Sequence, residues 1–298
     1  MKFLRVGNIG SEKPALLDNN IIRDLSSVIK DIDQTTIGDN LINTIKKLDI
    51  SKLPQLDNNL RIGACVSNPT KFLGIGLNFL DHALEQNLEP PIEPIIFTKA
   101  TTCISGPNDD VIIPKNSQKT DWEVEIAFVI GKKGKNISLA EAESYIFGYC
   151  LVCDVSEREW QKKRSGQWIK GKSADTFGPI GPYIVTKDDI KDLYNLNMSL
   201  DVNGKRMQTG NTEPKFIVED LSMIKINFEN DFLLKVLFKN SSGLYLHGLC
   251  FKNNKEKVID YLKNFKNHKF HIAGKLSCND WNKQRVIEFI IEDISLTH

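Results

Sequence analysis

Between Val66 and Phe216 the chain reads as a succession of short apolar runs, FLGIGLNF, PIIFTKA, DVIIP, WEVEIAFVIG, FGYCLVCDV and GPYIVT, punctuated by glycine and proline. Runs this short suit strands better than core helices, and the residues between them supply turns. The pattern predicts a fold that is mainly β. Two helical starts interrupt it, Ser138 with Glu141 and Ser156 with Glu159, each with the Ser-x-x-Glu spacing of a capping box. MSLDVNGKRMQTG alternates Met198, Leu200 and Val202 into Asn203-Gly204, a dipeptide suited to the left-handed conformations of a tight hairpin turn.

The segment before this run has a different texture. MKFLRVG and PALLDNNIIRDL read as short strands around a DNN turn, followed by polar helix-like stretches and LPQLDNN. Residues 1–62 are therefore expected to form a small N-terminal α/β appendage, and 63–298 one larger catalytic domain. A chain of 298 residues buries enough surface to fold without disulfides. Lys and Arg number 39 against 38 Asp and Glu, a net charge of +1. No global field then draws nucleic acid or an anionic membrane, and a small molecule is the expected partner. No segment approaches the roughly 20 apolar residues of a membrane span, and MKFLRVGNIG has no signal-peptide core. The expected location is cytoplasmic, where thiols stay reduced. Cys150 and Cys153 form a CxxC without a second pair at zinc spacing, and they read as two thiols in a buried strand. GIGLN at Gly74–Asn78 lacks the third glycine and the following helix of a dinucleotide loop.

The chemistry concentrates in DWEVEIAFVIG. Trp122, Val124, Ile126 and Phe128 alternate with Asp121, Glu123 and Glu125, so a strand here has one apolar and one acidic face. Glu123 and Glu125 point the same way and repel, more strongly where the surroundings are apolar. A hard dication between them relieves this, since oxygen-only ligand sets favour magnesium, manganese or calcium. Asp154, ending the apolar run YCLVC, is a third candidate ligand. A solvated edge strand whose acids face water fits the same pattern equally well.

Read with GLNFLDHALE, PIIFTKA, GPNDDVIIP, SEREWQ and GKSADTFGPIGP, these residues resemble the fumarylacetoacetate hydrolase family in order and spacing from about residue 60 to 218. The most similar branch includes proteins labelled 2,4-diketo-3-deoxy-L-fuconate hydrolase, ureidoglycolate lyase and 2-hydroxyhepta-2,4-diene-1,7-dioate isomerase. The resemblance implies a mixed β-roll of α+β class, a homodimer, and Mg2+ or Mn2+ (Ca2+ the further candidate) held by Glu123, Glu125 and Asp154. It places a catalytic pair on His82 and Glu85 and a site lysine on Lys172, with Arg158, Gln161 and Thr212 on the substrate side. If DHALEQ is helical, the spacing of three puts His82 and Glu85 on one face, where the carboxylate orients the imidazole. Lys172 lies in the Gly- and Pro-rich QWIKGKSADTFGPIGP, which reads as a loop that closes over a site. Lys99, ending PIIFTKA, carries less support. The implied activity is hydrolysis of a C–C bond in acylpyruvate-type 2,4-diketo acids through a metal-stabilised pyruvate enolate. The alternatives are a lyase, decarboxylase or isomerase on a related oxoacid, or a decayed member that binds metal without turnover.

The resemblance stops after Leu221. In place of the family's PGDVI and TGTPxGVG strings stand Lys- and Asn-rich residues with poor strand alternation, until NKQRVIEFI looks family-like again. Flanks at about the right distance suggest two compensating frameshifts over 223–281; the alternative is a divergent but folded replacement. That segment is expected to pack less well than the rest, with no catalytic role for His247, His268 or His271.

Overall fold

Strand β1 (Lys2–Val6) pairs antiparallel with β2 (Lys13–Asp18), which turns through Asn19 and Asn20, at φ 46° and 67°, into β3 (Ile21–Asp24). This computed structural model describes residues 1–79, 93–212, 216–228, 233–251, 256–265, 268–281 and 284–297. The chain forms two compact units, Met1–Asn211 and Thr212–His298.

In the first unit, β4 (Phe72–Gly76) and β5 (Ile95–Lys99) make an antiparallel pair. There follow β6 (Ile104–Ser105), β7 (Thr120–Asp121), β8 (Val124–Ile130), β9 (Ile146–Cys153), β10 (Ser156–Glu157) and β11 (Gly178–Thr186). The main sheet runs β3-β2-β1-β11-β9-β8, with β6 parallel to β11. Because β1 pairs with β11, Phe3 opposite Ile184, the expected boundary at 62/63 does not divide the unit. Phe3, Leu16 and Leu25 share one core with Phe147, Val152 and Ile184, so burial joins what composition had separated. Strands β12 (Asn197–Val202) and β13 (Lys205–Asn211) form the expected hairpin, with Asn203 and Gly204 at φ 50° and 76°.

Ser138 and Glu141 do form a capping box at the helical turn Leu139–Ala142. At the helix Arg158–Lys163 the cap is instead Glu157, whose carboxylate accepts from Trp160 N at 2.6 Å and Lys119 N at 2.9 Å. A buried carboxylate meeting several backbone donors outcompetes the serine beside it. On β8 the inward side is the acidic one: Ala127 and Val129 pack on the core while Phe128 and Ile130 are 52% and 60% exposed. Cys150 and Cys153 both lie on β9 as free thiols.

The second unit folds as β14 (Phe216–Phe228), β15 (Leu233–Lys239), β16 (Tyr245–Phe251), the helix Glu256–Asn264, β17 (Lys269–Trp281) and β18 (Gln284–Leu296). The strands close into a barrel, β14-β15-β16-β18-β17. Leu234, Phe238, Leu262, Phe270 and Ile272 are fully buried within it. Residues expected to pack less well than the rest thus contribute a buried core. LLKVLFK alternates regularly between core and surface, and QRVIEFI begins the last barrel strand. At Gly274 a Cβ would lie 2.0 Å from Ile290 O, so β17 bends against β18 where only glycine fits.

Candidate active site

The ladder between β8 and β9 sets the site. Asp154 N donates to Glu123 O at 2.9 Å, which holds the carboxylates of the residue before β8 and the residue after β9 side by side, both buried. Glu125 follows two residues later on the same side of β8, opposite Val152. The acidic face thus turns inward because the strand ends at a cleft, and the solvated-edge reading of Glu123 does not hold.

Three cations meet these acids. Lys99, 2% exposed at the end of β5, donates to Asp154 Oδ1 at 2.6 Å and to Val155 O at 3.2 Å. Lys172, equally buried, donates to Asp154 Oδ2 at 2.6 Å and also to Glu123 Oε2. It ends the helical turn Ile169–Lys172 and does not sit in the loop expected from its glycines. Gly171 packs against Glu157 O and Gln161, too close for a side chain, so the glycine serves helix packing. Arg158 reaches Glu123 Oε1 at 2.6 Å, Asp121 Oδ2 at 2.7 Å and Gln161 Oε1 at 3.2 Å. Ser156 Oγ lies 3.3 Å from Glu123 Oε2.

These neighbours drive the acids apart in pKa. Burial alone raises Glu123, but the charges of Lys172 and Arg158 outweigh it and hold the group at about 2. Burial, reinforced by the charges of Glu123 and Asp154, pushes Glu125 up to about 8, with Lys172 only partly offsetting it. The cluster is short of positive charge at Glu125.

All three carboxylates line one cleft. Its other wall is apolar: Phe97 and Trp168 have ring centroids 5.4 Å apart, and Lys172 Nζ lies 5.1 Å from the Phe97 centroid. Gly76 makes room for the indole, since a Cβ there would come within 2.6 Å of Trp168 Cζ3. Leu77, in the left-handed region at φ 51°, turns the chain off β4 at the lip. The oxygen-only donors and the unbalanced acid at Glu125 fit a hard dication. As placed, the Lys172 ammonium bridges Glu123 and Asp154, and among the described residues no three acids, histidines or cysteines stand in ready ligand geometry.

The structure therefore brings together Glu123, Glu125, Asp154, Arg158, Gln161 and Lys172. His82 and Glu85 lie outside the described residues. Thr212 opens the second unit, so it does not belong to the unit that carries the cleft. Sequence reasoning underweighted Lys99 and missed Phe97 and Trp168. A lysine at the end of an apolar strand was the available signal for Lys99; the aromatic pair is 71 residues apart in sequence and left none.

A family profile described as Fumarylacetoacetate (FAA) hydrolase C-terminal matches residues 71–225. A provisionally named hydrolase of Burkholderia ambifaria is 51% identical over 213 residues, 71% of this chain and 76% of that protein. Among solved structures, a fumarylacetoacetate hydrolase from Exiguobacterium antarcticum is 28% identical, with a TM-score of 0.59 over 71% of this chain and 75% of that one. A 2-hydroxyhepta-2,4-diene-1,7-dioate isomerase from Mycobacterium marinum is 29% identical, with a TM-score of 0.53 over the same shares.

Proposed function

The chain belongs to the fumarylacetoacetate hydrolase family, and from that footing we propose that it hydrolyses a C–C bond in an acylpyruvate-type 2,4-diketo acid with Mg2+ or Mn2+. The observation that carries this reading is the meeting of Glu123, Glu125 and Asp154 with Lys172 and Arg158 on one cleft. Glu123, Glu125 and Asp154 would hold the ion, which when bound supplies Lewis-acid stabilisation of charge developing on a 2-oxo acid.

The protein's own residues do the rest. Arg158, fixed by Asp121 and Gln161, offers a planar donor array suited to a substrate carboxylate. Lys172 sets a buried positive charge where the leaving oxoacid portion becomes negative, and it has donors beyond those its two carboxylates use. Lys99 neutralises Asp154 from behind and fixes its orientation. His82, with Glu85, is the proposed base that activates water for attack on the distal carbonyl.

Pyruvate release from acylpyruvates, assayed with and without Mg2+ or Mn2+, tests the reading. Metal-dependent release that falls by at least a hundredfold in His82→Ala is the expected result. Full activity in that variant removes His82 from the mechanism, and no release with any metal removes hydrolysis. The similarity to a dioate isomerase supports a second reading, keto–enol isomerisation at the same cleft, which would appear as an absorbance change without pyruvate.

A further inference from the structure

The barrel of the second unit has a specific topology. Numbered within the unit, its strands close in the order first, second, third, fifth, fourth and back to first. The third and fifth run parallel, with Gly248 opposite Phe289 and Leu249 opposite Ile290, and every other pair is antiparallel. The helix Glu256–Asn264 lies between the third and fourth strands and buries Val258 and Leu262 in the core. The long first strand shifts register twice as it passes from one neighbour to the other. This is the five-stranded Greek-key barrel of the OB type, in which the outer face of the second and third strands carries extended polymeric ligands.

Topology alone assigns nothing, so the side chains on that face decide. On β15, Leu234, Val236 and Phe238 fill the core, which turns Lys235 and Lys239 outward. On β16, Tyr245 and Phe251 are 58% and 50% exposed, with the exposed His247 and the buried Leu249 between them in the same alternation. The register sets Lys239 opposite Tyr245 and Leu233 opposite Phe251. Lys239 Nζ stands 5.3 Å from the Tyr245 ring centroid. Neither LLKVLFK nor YLHGLCF contains an acid. Two aromatic faces, roughly 20 Å apart along one strand and accompanied by lysines, complement a chain that alternates planar bases with phosphates. The positive charge beside the rings favours an anionic polymer over a neutral oligosaccharide. The expectation of no nucleic-acid partner rested on the net charge of +1 over the whole chain, which averages away a local face.

We propose that the second unit binds single-stranded nucleic acid across the outer face of β15 and β16, with Tyr245 and Phe251 stacking on bases and Lys235 and Lys239 against phosphates. The site is separate from the cleft of the first unit in residues and in chemistry.

Fluorescence anisotropy of the full chain with a labelled dT15 oligonucleotide tests this, beside the matching duplex and heparin as competitors. The expected result is dT15 binding that weakens with added salt. Tyr245→Ala and Phe251→Ala should each weaken it about tenfold, and Lys239→Glu should lower both affinity and salt dependence. Both aromatics are exposed, so circular dichroism should show an unchanged fold. Lys257→Glu, the same charge change on the helix where Lys257 pairs with Asp293, should weaken binding far less. Absence of dT15 binding at 100 µM protein in low salt, about the strength of weak non-specific association, overturns the proposal. So does equal binding of duplex or heparin, or binding unchanged in Tyr245→Ala, Phe251→Ala and Lys239→Glu.

Discussion

The ammonium group of Lys172 stands 2.6 Å from Asp154 Oδ2 with both side chains buried, and the same nitrogen also donates to Glu123. One lysine therefore bridges two buried acids on the wall of the cleft. Removing a partner from a buried charge cluster costs more than the cluster contributes in net stability, because uncompensated charges remain behind.

Lys172→Met should accordingly destabilise the metal-free protein by about 3 kcal/mol. Mn2+ should raise the melting temperature of this variant more than that of the wild type, because the dication replaces the lost positive charge. Differential scanning fluorimetry across a Mn2+ titration measures both effects. Equal shifts in the two proteins would mean that the ion does not share the Glu123–Asp154 locus.

Glu125 gives a pH dependence of opposite sign to the usual carboxylate. Its folded pKa, about 8, lies above the ordinary 4.5, so the folded state holds this proton more tightly than the unfolded chain. The stabilisation is fully present below about pH 4.5 and is lost as pH rises through 8. Glu125→Gln should remove that loss, leaving metal-free protein more stable than wild type at pH 8, by on the order of a few kcal/mol at most. The same variant should lose its melting response to Mn2+. Paired melting curves at pH 5.5 and 8, with and without metal, read both outcomes.

Asp109 behaves in the ordinary direction. The Arg61 guanidinium grips it through two bonds of 2.7 and 2.6 Å, and with the Gly106 amide holds its carboxyl below the usual range against the effect of burial. Its contribution is present above about pH 4 and disappears as pH falls through the depressed folded value. Asp109→Asn should cost about 1 kcal/mol at pH 7, since the pair is partly open to solvent, and nothing measurable near pH 2. Urea denaturation at the two pH values tests this.

The continuous core of the second unit bears on its origin. Regular alternation in β15 and a closed ring of pairings favour a divergent but folded segment, in which local pattern and fold agree. Retranslating the gene over codons 223–281 in the other two frames should therefore give no PGDVI- or TGTP-like string. Recovery of one would restore the frameshift explanation.

Much of the site was legible because local periodicity constrains it. Alternation in DWEVEIAFVIG put Glu123 and Glu125 on one side, and the end of an apolar run put Asp154 at a strand terminus. The side on which they lie was not legible. Phe128 and Ile130 made the even positions look like the core, yet Ala127 and Val129 are the residues that pack inward. A two-residue period distinguishes two faces without saying which one the rest of the chain covers.

Sequence by itself determined the hairpin at Asn203-Gly204, the cap at Ser138, the acidic strand and the point after Leu221 where one pattern stops. Each is a property of a few neighbouring residues and their backbone preferences. Tertiary structure decided that residues 1–62 share a core with β9 and β11, that Lys99, Lys172 and Arg158 converge on the acids, and that Phe97 meets Trp168. It also decided that the residues from Phe216 onward close a barrel of their own. These depend on contacts between residues distant in the chain, for which burial and charge balance act only once the strands are in register.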